Sequence, residues 1–241
     1  MHNPKVLIFS GNGINCEKES AQAFLNLGAK VDFVRLKELE NEPQMILNYN
    51  ILMFPGGFSF GDELGSGQIF SYRLKKSIKN HLKQYLDNKG LILGVCNGFQ
   101  ILSKLGVFGE NLALSLSYNQ SGRFINQWVN LKVEPENRCV WLKDIQAEIA
   151  MPARHGEGRF VLGEEQNSQY QKLLSNGQIV FKYAENINGS DFDIAGICDE
   201  TGQILGLMPH PEAALKPGIN PFNSEKLCQQ IFKNAVEYSR A

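Results

Sequence analysis

Strand-sized apolar runs alternate with amphipathic stretches along the first half of the chain. Four such runs, each bounded by glycine or polar residues, predict strands at 5–9, 31–36, 51–54 and 91–95. Between the last two runs, leucine and isoleucine recur every four residues up to Gly90, a spacing that predicts a surface helix. Another helix is predicted after the first strand, with Asn15 as its N-cap. Strands that alternate with helices predict an α/β fold with an open, mostly parallel, doubly wound sheet of the flavodoxin-like type.

The pattern changes after about residue 115. Residues 124–133 alternate between apolar and polar, and further strands are predicted at 178–184 and 194–198. A hairpin joins the last of these to a strand at 203–208, and a final amphipathic helix begins at about Ser224. This part of the chain predicts an antiparallel or mixed extension of the sheet. Because no linker or repeat interrupts the sequence, we expect a single domain over residues 1–241.

Charge and cysteine content narrow the class of protein. With 24 basic and 25 acidic residues the formal net charge is −1, which favours neither nucleic acid nor a membrane surface as a partner. The five cysteines are scattered and lack metal-ligand spacing, so we expect reduced thiols, no disulfide framework and no metal site. No leader-like segment and no run of about 18 apolar residues is present. We therefore expect a cytoplasmic protein.

A cysteine stands between two glycines where a buried strand gives way to a helix, in Gly94-Val95-Cys96-Asn97-Gly98. This is the layout of a nucleophile elbow, in which a strained turn exposes a reactive side chain at the carboxyl edge of a sheet. The N-terminus of the following helix favours the thiolate. Free cysteines are also among the most buried residues, so the pentapeptide alone fits an inert thiol equally well. Catalysis therefore requires a base and an oxyanion site elsewhere in the chain.

His210 is the strongest candidate for the base among the four histidines. Pro209 and Pro211 flank it directly after a predicted strand, and the extended backbone that they favour places Glu212 on the same side as His210. A carboxylate on one imidazole nitrogen leaves the other nitrogen free to act as the base for Cys96. A proline-rich surface turn is the alternative. Of the other histidines, His2 stands near the terminus and His81 in a polar stretch of a helix.

Glycines after the third predicted strand suggest the oxyanion site. In Pro55-Gly56-Gly57 the backbone N–H groups can point into a cleft without an intervening side chain. The N–H groups of Gly57 and Asn97 are the predicted oxyanion donors. The run 11–16 lacks the third glycine of a dinucleotide-binding loop, and no phosphate-binding loop of the Walker type is present, so we expect no nucleotide cofactor in this chain.

Five ordered runs resemble the class I, triad-type glutamine amidotransferases, and among them the glutaminase subunits of phosphoribosylformylglycinamidine synthases. They are PGGFSFGD at 55–62, GVCNGFQ at 94–100, HGEGRF at 155–160, DIAGICD at 193–199 and GLMPHPE at 206–212. The resemblance spans nearly the whole chain. It departs from the family pattern at Ala213-Ala214, where relatives often carry basic residues. It also departs at Asn186-Ile187-Asn188-Gly189, which replaces an Asn-Pro-type loop.

The resemblance implies a glutaminase that hydrolyses L-glutamine through a thioester on Cys96, with His210 as the base and Glu212 as the orienting carboxylate. It implies that ammonia passes to a large synthetase subunit, which uses ATP and magnesium to convert formylglycinamide ribonucleotide into the amidine in purine biosynthesis, in a complex that also contains a small accessory subunit. The implied glutamine-binding residues are Gly56, Gln100, Asn119, Ser121, Arg123 and Phe124. His155 lies near this site or the ammonia exit, or is a hydrogen-bonded loop histidine.

Two other classes of function remain open at this stage. One is a cysteine peptidase or another thiol hydrolase on a related fold. The other is a redox-sensing or binding module in which Cys96 is oxidised and His210 is incidental.

Overall fold

The computed structural model describes residues 3–216 and 218–240, so His2 lies outside the described residues. In chain order the strands are β1 (Lys5–Ser10), β2 (Lys30–Arg35), β3 (Ile51–Phe54), β4 (Leu91–Val95), β5 (Leu114–Tyr118), β6 (Ile125–Val133), β7 (Ile149–His155), β8 (Glu157–Leu162), β9 (Ile179–Tyr183), β10 (Ile194–Cys198) and β11 (Ile204–Leu207). The helices are α1 (Glu17–Leu25), α2 (Leu36–Asn41), α3 (Gln68–Asp87), α4 (Asn97–Leu105), α5 (Gln166–Ser175) and α6 (Glu225–Tyr238).

Nine strands form one twisted sheet in the order β2-β1-β3-β4-β11-β10-β9-β6-β7. The first five are parallel, whereas β10, β9, β6 and β7 continue the sheet with antiparallel pairing. Strands β5 and β8 form a separate two-stranded ribbon. The predicted doubly wound parallel sheet with an antiparallel extension is therefore confirmed.

Helices cover the sheet in two layers. One contains α1 and α6, which meet through the edge-to-face rings of Phe24 and Phe232, and the other contains α2, α3 and α4. Every residue of β3 and β4 is buried, which explains why these strands read as uninterrupted apolar runs. No helix of the described part combines the length and the apolar character needed to cross a membrane.

One local expectation fails, and one strand of the sheet was not predicted. Asn15 is not the N-cap of α1, because the helix begins one residue later, after Cys16, without a side-chain cap. Instead, the N–H groups of Asn15 and Cys16 both donate to Gly56 O, each at 3.2 Å, which ties the end of β1 to the end of β3. Strand β7 carries Pro152 in its interior and was not predicted; it is tolerated because β7 lies at the edge of the sheet.

Helix α4 approaches β3 so closely that only glycine fits at position 98. A Cβ atom there would overlap the carbonyl oxygen of Phe54, and a Cβ at Gly94 would lie 2.5 Å from Leu102 Cδ1. The two glycines of the elbow therefore set the distance between α4 and the sheet, and with it the position of the turn at Cys96.

We expect Gly98→Ala to lower the free energy of unfolding by about 2 kcal/mol or more, because forced overlap in a packed interior typically costs 1–3 kcal/mol. Gly156→Ala is the matched control, since its Cβ would meet only Phe124 Cδ2, at 3.7 Å. Urea unfolding of both variants is the measurement. Equal losses in the two variants would contradict the close approach of α4.

Candidate active site

Cys96 occupies a strained turn between β4 and α4. Its φ of 52° and ψ of −108° lie in a region that non-glycine residues rarely adopt, and strain of this kind clusters at functional sites. The thiol lies at the carboxyl edge of the sheet as predicted. Only 6% of the residue is exposed, so Cys96 is more buried than predicted. Its Sγ atom is 3.6 Å from Arg154 O, to which it donates. The N-terminus of α4 stabilises negative charge on this sulfur.

His210 and Glu212 form a buried pair at the carboxyl end of β11. The Nδ1 atom of His210 is 2.7 Å from Glu212 Oε1, and each residue is 2% exposed. The backbone N–H of His210 also donates to Pro152 O at 2.8 Å. The predicted contact is thus present, although the backbone is not extended throughout, because Glu212 is in the right-handed helical region at the start of a short 3₁₀ turn.

Charge around His210 favours its protonated form. Burial lowers the pKa of the imidazole, but the Glu212 carboxylate and the nearby thiols of Cys16 and Cys96 outweigh it, so that the pKa lies well above its ordinary value. The Nε2 atom is buried without a hydrogen-bond partner in the described part of the chain. An imidazole held by a carboxylate on one nitrogen and free on the other is the arrangement of a base beside its nucleophile.

Cys16 is a neighbour of this pair that the sequence analysis missed. Potential ligand atoms of Cys16, His210 and Glu212 lie within 4.8 Å of one another, and burial raises the pKa of the Cys16 thiol. Nδ1 of His210 already bonds to Glu212, so a metal ion at this point would displace that contact. A Cβ atom on Gly56 would lie 2.6 Å from His210 Cε1, so glycine is required where the β3 loop passes the imidazole.

The two predicted oxyanion donors lie on neighbouring turns. Gly57 follows β3 with a φ of 152°, and its N–H makes no hydrogen bond within the described residues. Asn97 is the first residue of α4, where an N–H has no partner inside the helix. The Asn97 side chain joins the two turns, because its Oδ1 accepts from the N–H of Ser59 at 3.2 Å.

Gln100 and Phe124 lie in the wall of a cleft of about 110 Å³ that opens over Cys96. The amide of Gln100 is held by the protein: its Oε1 accepts from Asn97 Nδ2 at 2.9 Å and its Nε2 donates to Glu157 O. Phe124 is 53% exposed and faces Phe58 across the mouth, with ring centroids 6.3 Å apart. These residues are brought together as the resemblance implied, and their contact with glutamine remains a prediction.

The other implied glutamine-binding residues are placed differently. Ser121 and Arg123 are exposed beside the cleft and do not line it. Asn119 is 2% exposed, and its amide is used within the protein, by carbonyl oxygens of Arg123 and His155 and by the His155 ring. A direct contact of Asn119 with glutamine stays a prediction.

His155 belongs to the candidate active site. It lines the cleft with Cys96, is 2% exposed, and its Nδ1 is 3.0 Å from Asn119 Oδ1. Burial and then the charge of His210 lower its pKa to about 4. His81 lies on α3 and is not part of the cleft.

Two further features lie outside the predictions. The hydroxyl of Tyr183 is buried, and burial together with the charge of Cys96 raises its pKa. Tyr183 is therefore close enough to Cys96 for the two groups to interact electrostatically.

A larger concavity of about 600 Å³ is lined by residues between Pro135 and Gln146 and by the end of α6. It contains no predicted site residue, so its size does not make it the active site.

Similarity to known proteins agrees with this geometry. Residues 3–239 match the model of the CobB/CobQ-like glutamine amidotransferase domain. The chain is 42% identical to phosphoribosylformylglycinamidine synthase subunit PurQ of Methanococcus maripaludis strain C7, over 98% of this chain and 97% of that relative. It is 34% identical to the same subunit of Dehalococcoides mccartyi, over 100% and 99% of the two chains.

Among solved structures, a chain in the structure of PurLQS from Thermotoga maritima superposes with a TM-score of 0.77 at 29% identity, covering 98% of this chain and 99% of that one. Three observations support the same assignment: the strand order, the buried Cys96 turn with its His210–Glu212 pair, and the similarity along nearly the whole chain. The chain belongs to the PurQ family of phosphoribosylformylglycinamidine synthase subunits and is a glutamine amidotransferase.

Proposed function

We propose that this chain is the glutaminase subunit of a phosphoribosylformylglycinamidine synthase, which hydrolyses L-glutamine and delivers ammonia to a synthetase subunit in purine biosynthesis. The observation that carries the proposal is the buried His210–Glu212 contact of 2.7 Å beside the Cys96 turn, in a chain that matches PurQ subunits along their whole length. The cysteine peptidase alternative is not favoured, because the similar proteins are amidotransferases.

The geometry supports a thioester mechanism. The Cys96 thiolate attacks the side-chain carbonyl carbon of glutamine, and the N–H groups of Gly57 and Asn97 receive the oxyanion, each such donor being worth about 3 kcal/mol of barrier. His210 gives its proton to the nitrogen as the carbon–nitrogen bond breaks, and ammonia leaves. The neutral His210 then takes a proton from water, which attacks the thioester and releases glutamate. Glu212 holds the imidazole through Nδ1 during both steps.

The remaining parts of the reaction belong to other subunits in this proposal. ATP and magnesium act on the large synthetase subunit, and a small accessory subunit completes the assembly, as the name PurLQS suggests for the Thermotoga maritima structure. We place the complex in the cytoplasm, since all five cysteines are free thiols. No nucleic acid or membrane partner is included.

A glutamine-analogue electrophile is the direct test of the nucleophile. We expect a reagent such as acivicin to modify Cys96 alone among the five cysteines, and glutamine to protect it. Peptide mapping by mass spectrometry identifies the modified residue. Labelling of Cys16 instead, or labelling that glutamine does not block, would overturn the assignment.

Cys96→Ala should lower glutaminase activity by more than about 10³-fold, because the covalent step is lost. In the assembled synthase, the variant should still form the amidine from added ammonia, since the synthetase site is intact. Cys139→Ala is the matched control, because it removes another buried thiol far along the chain. Glutaminase activity that survives Cys96→Ala would refute the mechanism.

Glu212→Gln should reduce glutaminase activity because it removes the group that orients the base. The loss should be roughly 10- to 100-fold smaller than the loss caused by Cys96→Ala. The carboxylate raises the pKa of His210, so its removal lowers that pKa and the imidazolium is lost at lower pH. The alkaline limb of the profile of kcat/KM against pH should therefore move toward lower pH. An unmoved alkaline limb would show that Glu212 does not act through His210.

A further inference from the structure

The two ring nitrogens of His155 differ in their surroundings. Nδ1 is 3.0 Å from Asn119 Oδ1. Nε2 is buried and has no hydrogen-bond partner among the residues that the structure describes. Buried polar atoms are nearly always paired, so an unpaired one beside an active site suggests a ligand that the free protein lacks.

Asn119 determines which nitrogen of His155 carries the proton. Its Nδ2 donates to the carbonyl oxygens of Arg123 and His155 at 2.9 and 2.8 Å, which identifies this atom as the amide nitrogen. The atom that faces the ring is therefore a carbonyl oxygen, which can only accept. His155 must donate from Nδ1, and Nε2 is left as a buried acceptor.

The charge state agrees with this tautomer. Burial, followed by the charge of His210, lowers the pKa of His155 to about 4, so the ring is neutral at neutral pH. Glu212 holds His210 in the opposite state. One histidine of the site is thus poised to give a proton and the other to accept a hydrogen bond, a division set by their different neighbours.

His155 is also held close to the reacting atoms. It lines the same cleft as Cys96, and the carbonyl of the preceding residue, Arg154, accepts from the Cys96 thiol at 3.6 Å. The ring packs on Gly158, where a Cβ atom would overlap Nδ1 and Cε1. This contact accounts for the glycine three residues after His155.

We propose that Nε2 of His155 binds the ammonia released from glutamine and keeps it in the cleft for transfer to the synthetase. The inference rests on the proposed function, because it assumes that Cys96 releases ammonia from glutamine. When the carbon–nitrogen bond breaks, the nitrogen takes the proton of His210 and leaves as neutral ammonia. One of its N–H groups then donates to His155 Nε2, and no bond of His155 is made or broken. Because His155 is neutral, it does not convert ammonia into ammonium, which is not a nucleophile.

The test is the coupling ratio of the assembled synthase, which is the amount of amidine formed per glutamate released. His155→Leu removes the acceptor at similar size, and we expect the ratio to fall at least twofold among the turnovers that release glutamate. His155→Gln offers an amide oxygen as a substitute acceptor, and we expect it to recover at least half of the lost coupling. His81→Leu is the matched control and should leave the ratio unchanged.

Thermal unfolding and amidine synthesis from added ammonia establish that each variant is folded and assembled. An unchanged ratio in folded His155→Leu would overturn the inference, and so would loss of glutamate release in that variant. Failure of the proposed function gives a different result, because the wild-type complex would then release no glutamate at all.

Discussion

Three neighbouring parallel strands end at one edge of the sheet, and the active site depends on that order. Strand β3 leads to Gly57, β4 to Cys96 and β11 to His210, although 114 positions separate the last two in the chain. Parallel strands present their carboxyl ends together, so the proposed nucleophile, oxyanion donor and base lie close to one another without a long backbone connection. Other contacts fix the positions of these three strand ends more closely. Gly98 sets the depth of α4, Asn97 joins two turns, and Pro152 O anchors the segment that carries His210.

Two buried histidines at the candidate site differ in their electrostatic surroundings. Both imidazoles are 2% exposed, and burial alone would keep both neutral. His210 has a carboxylate on Nδ1, whereas His155 has an amide oxygen in the same position. Glu212, together with the thiols of Cys16 and Cys96, raises the pKa of His210 well above its ordinary value. His155 has no carboxylate at Nδ1, and burial lowers its pKa to about 4. The charge of His210 also acts on His155, because it adds to the burial that lowers the pKa of that ring.

The parallel half of the sheet and the contact between His210 and Glu212 could be predicted from the sequence because each is encoded locally. Buried strands such as β3 and β4 are continuous apolar runs. The elbow and the Pro-His-Pro-Glu segment each consist of only a few consecutive residues. What depends on contacts between distant segments was not predicted. Strand β7 was hidden by Pro152, which only its edge position explains. Cys16 was seen only as a broken nucleotide-binding motif, and its place beside His210 follows from the pairing of β1 and β3. The hydrogen bond between Asn119 Oδ1 and the His155 ring was likewise not predicted, because 36 positions separate the two residues.

Strand β11 belongs to both halves of the sheet, since it pairs in parallel with β4 and in antiparallel fashion with β10. Cys96, the proposed nucleophile, follows β4, and His210, the proposed base, follows β11. Four residue pairs hold these two strands together, so the distance between Cys96 and His210 depends on the pairing of β4 with β11. Local opening between β4 and β11 would therefore disturb the site at a lower free energy than global unfolding requires.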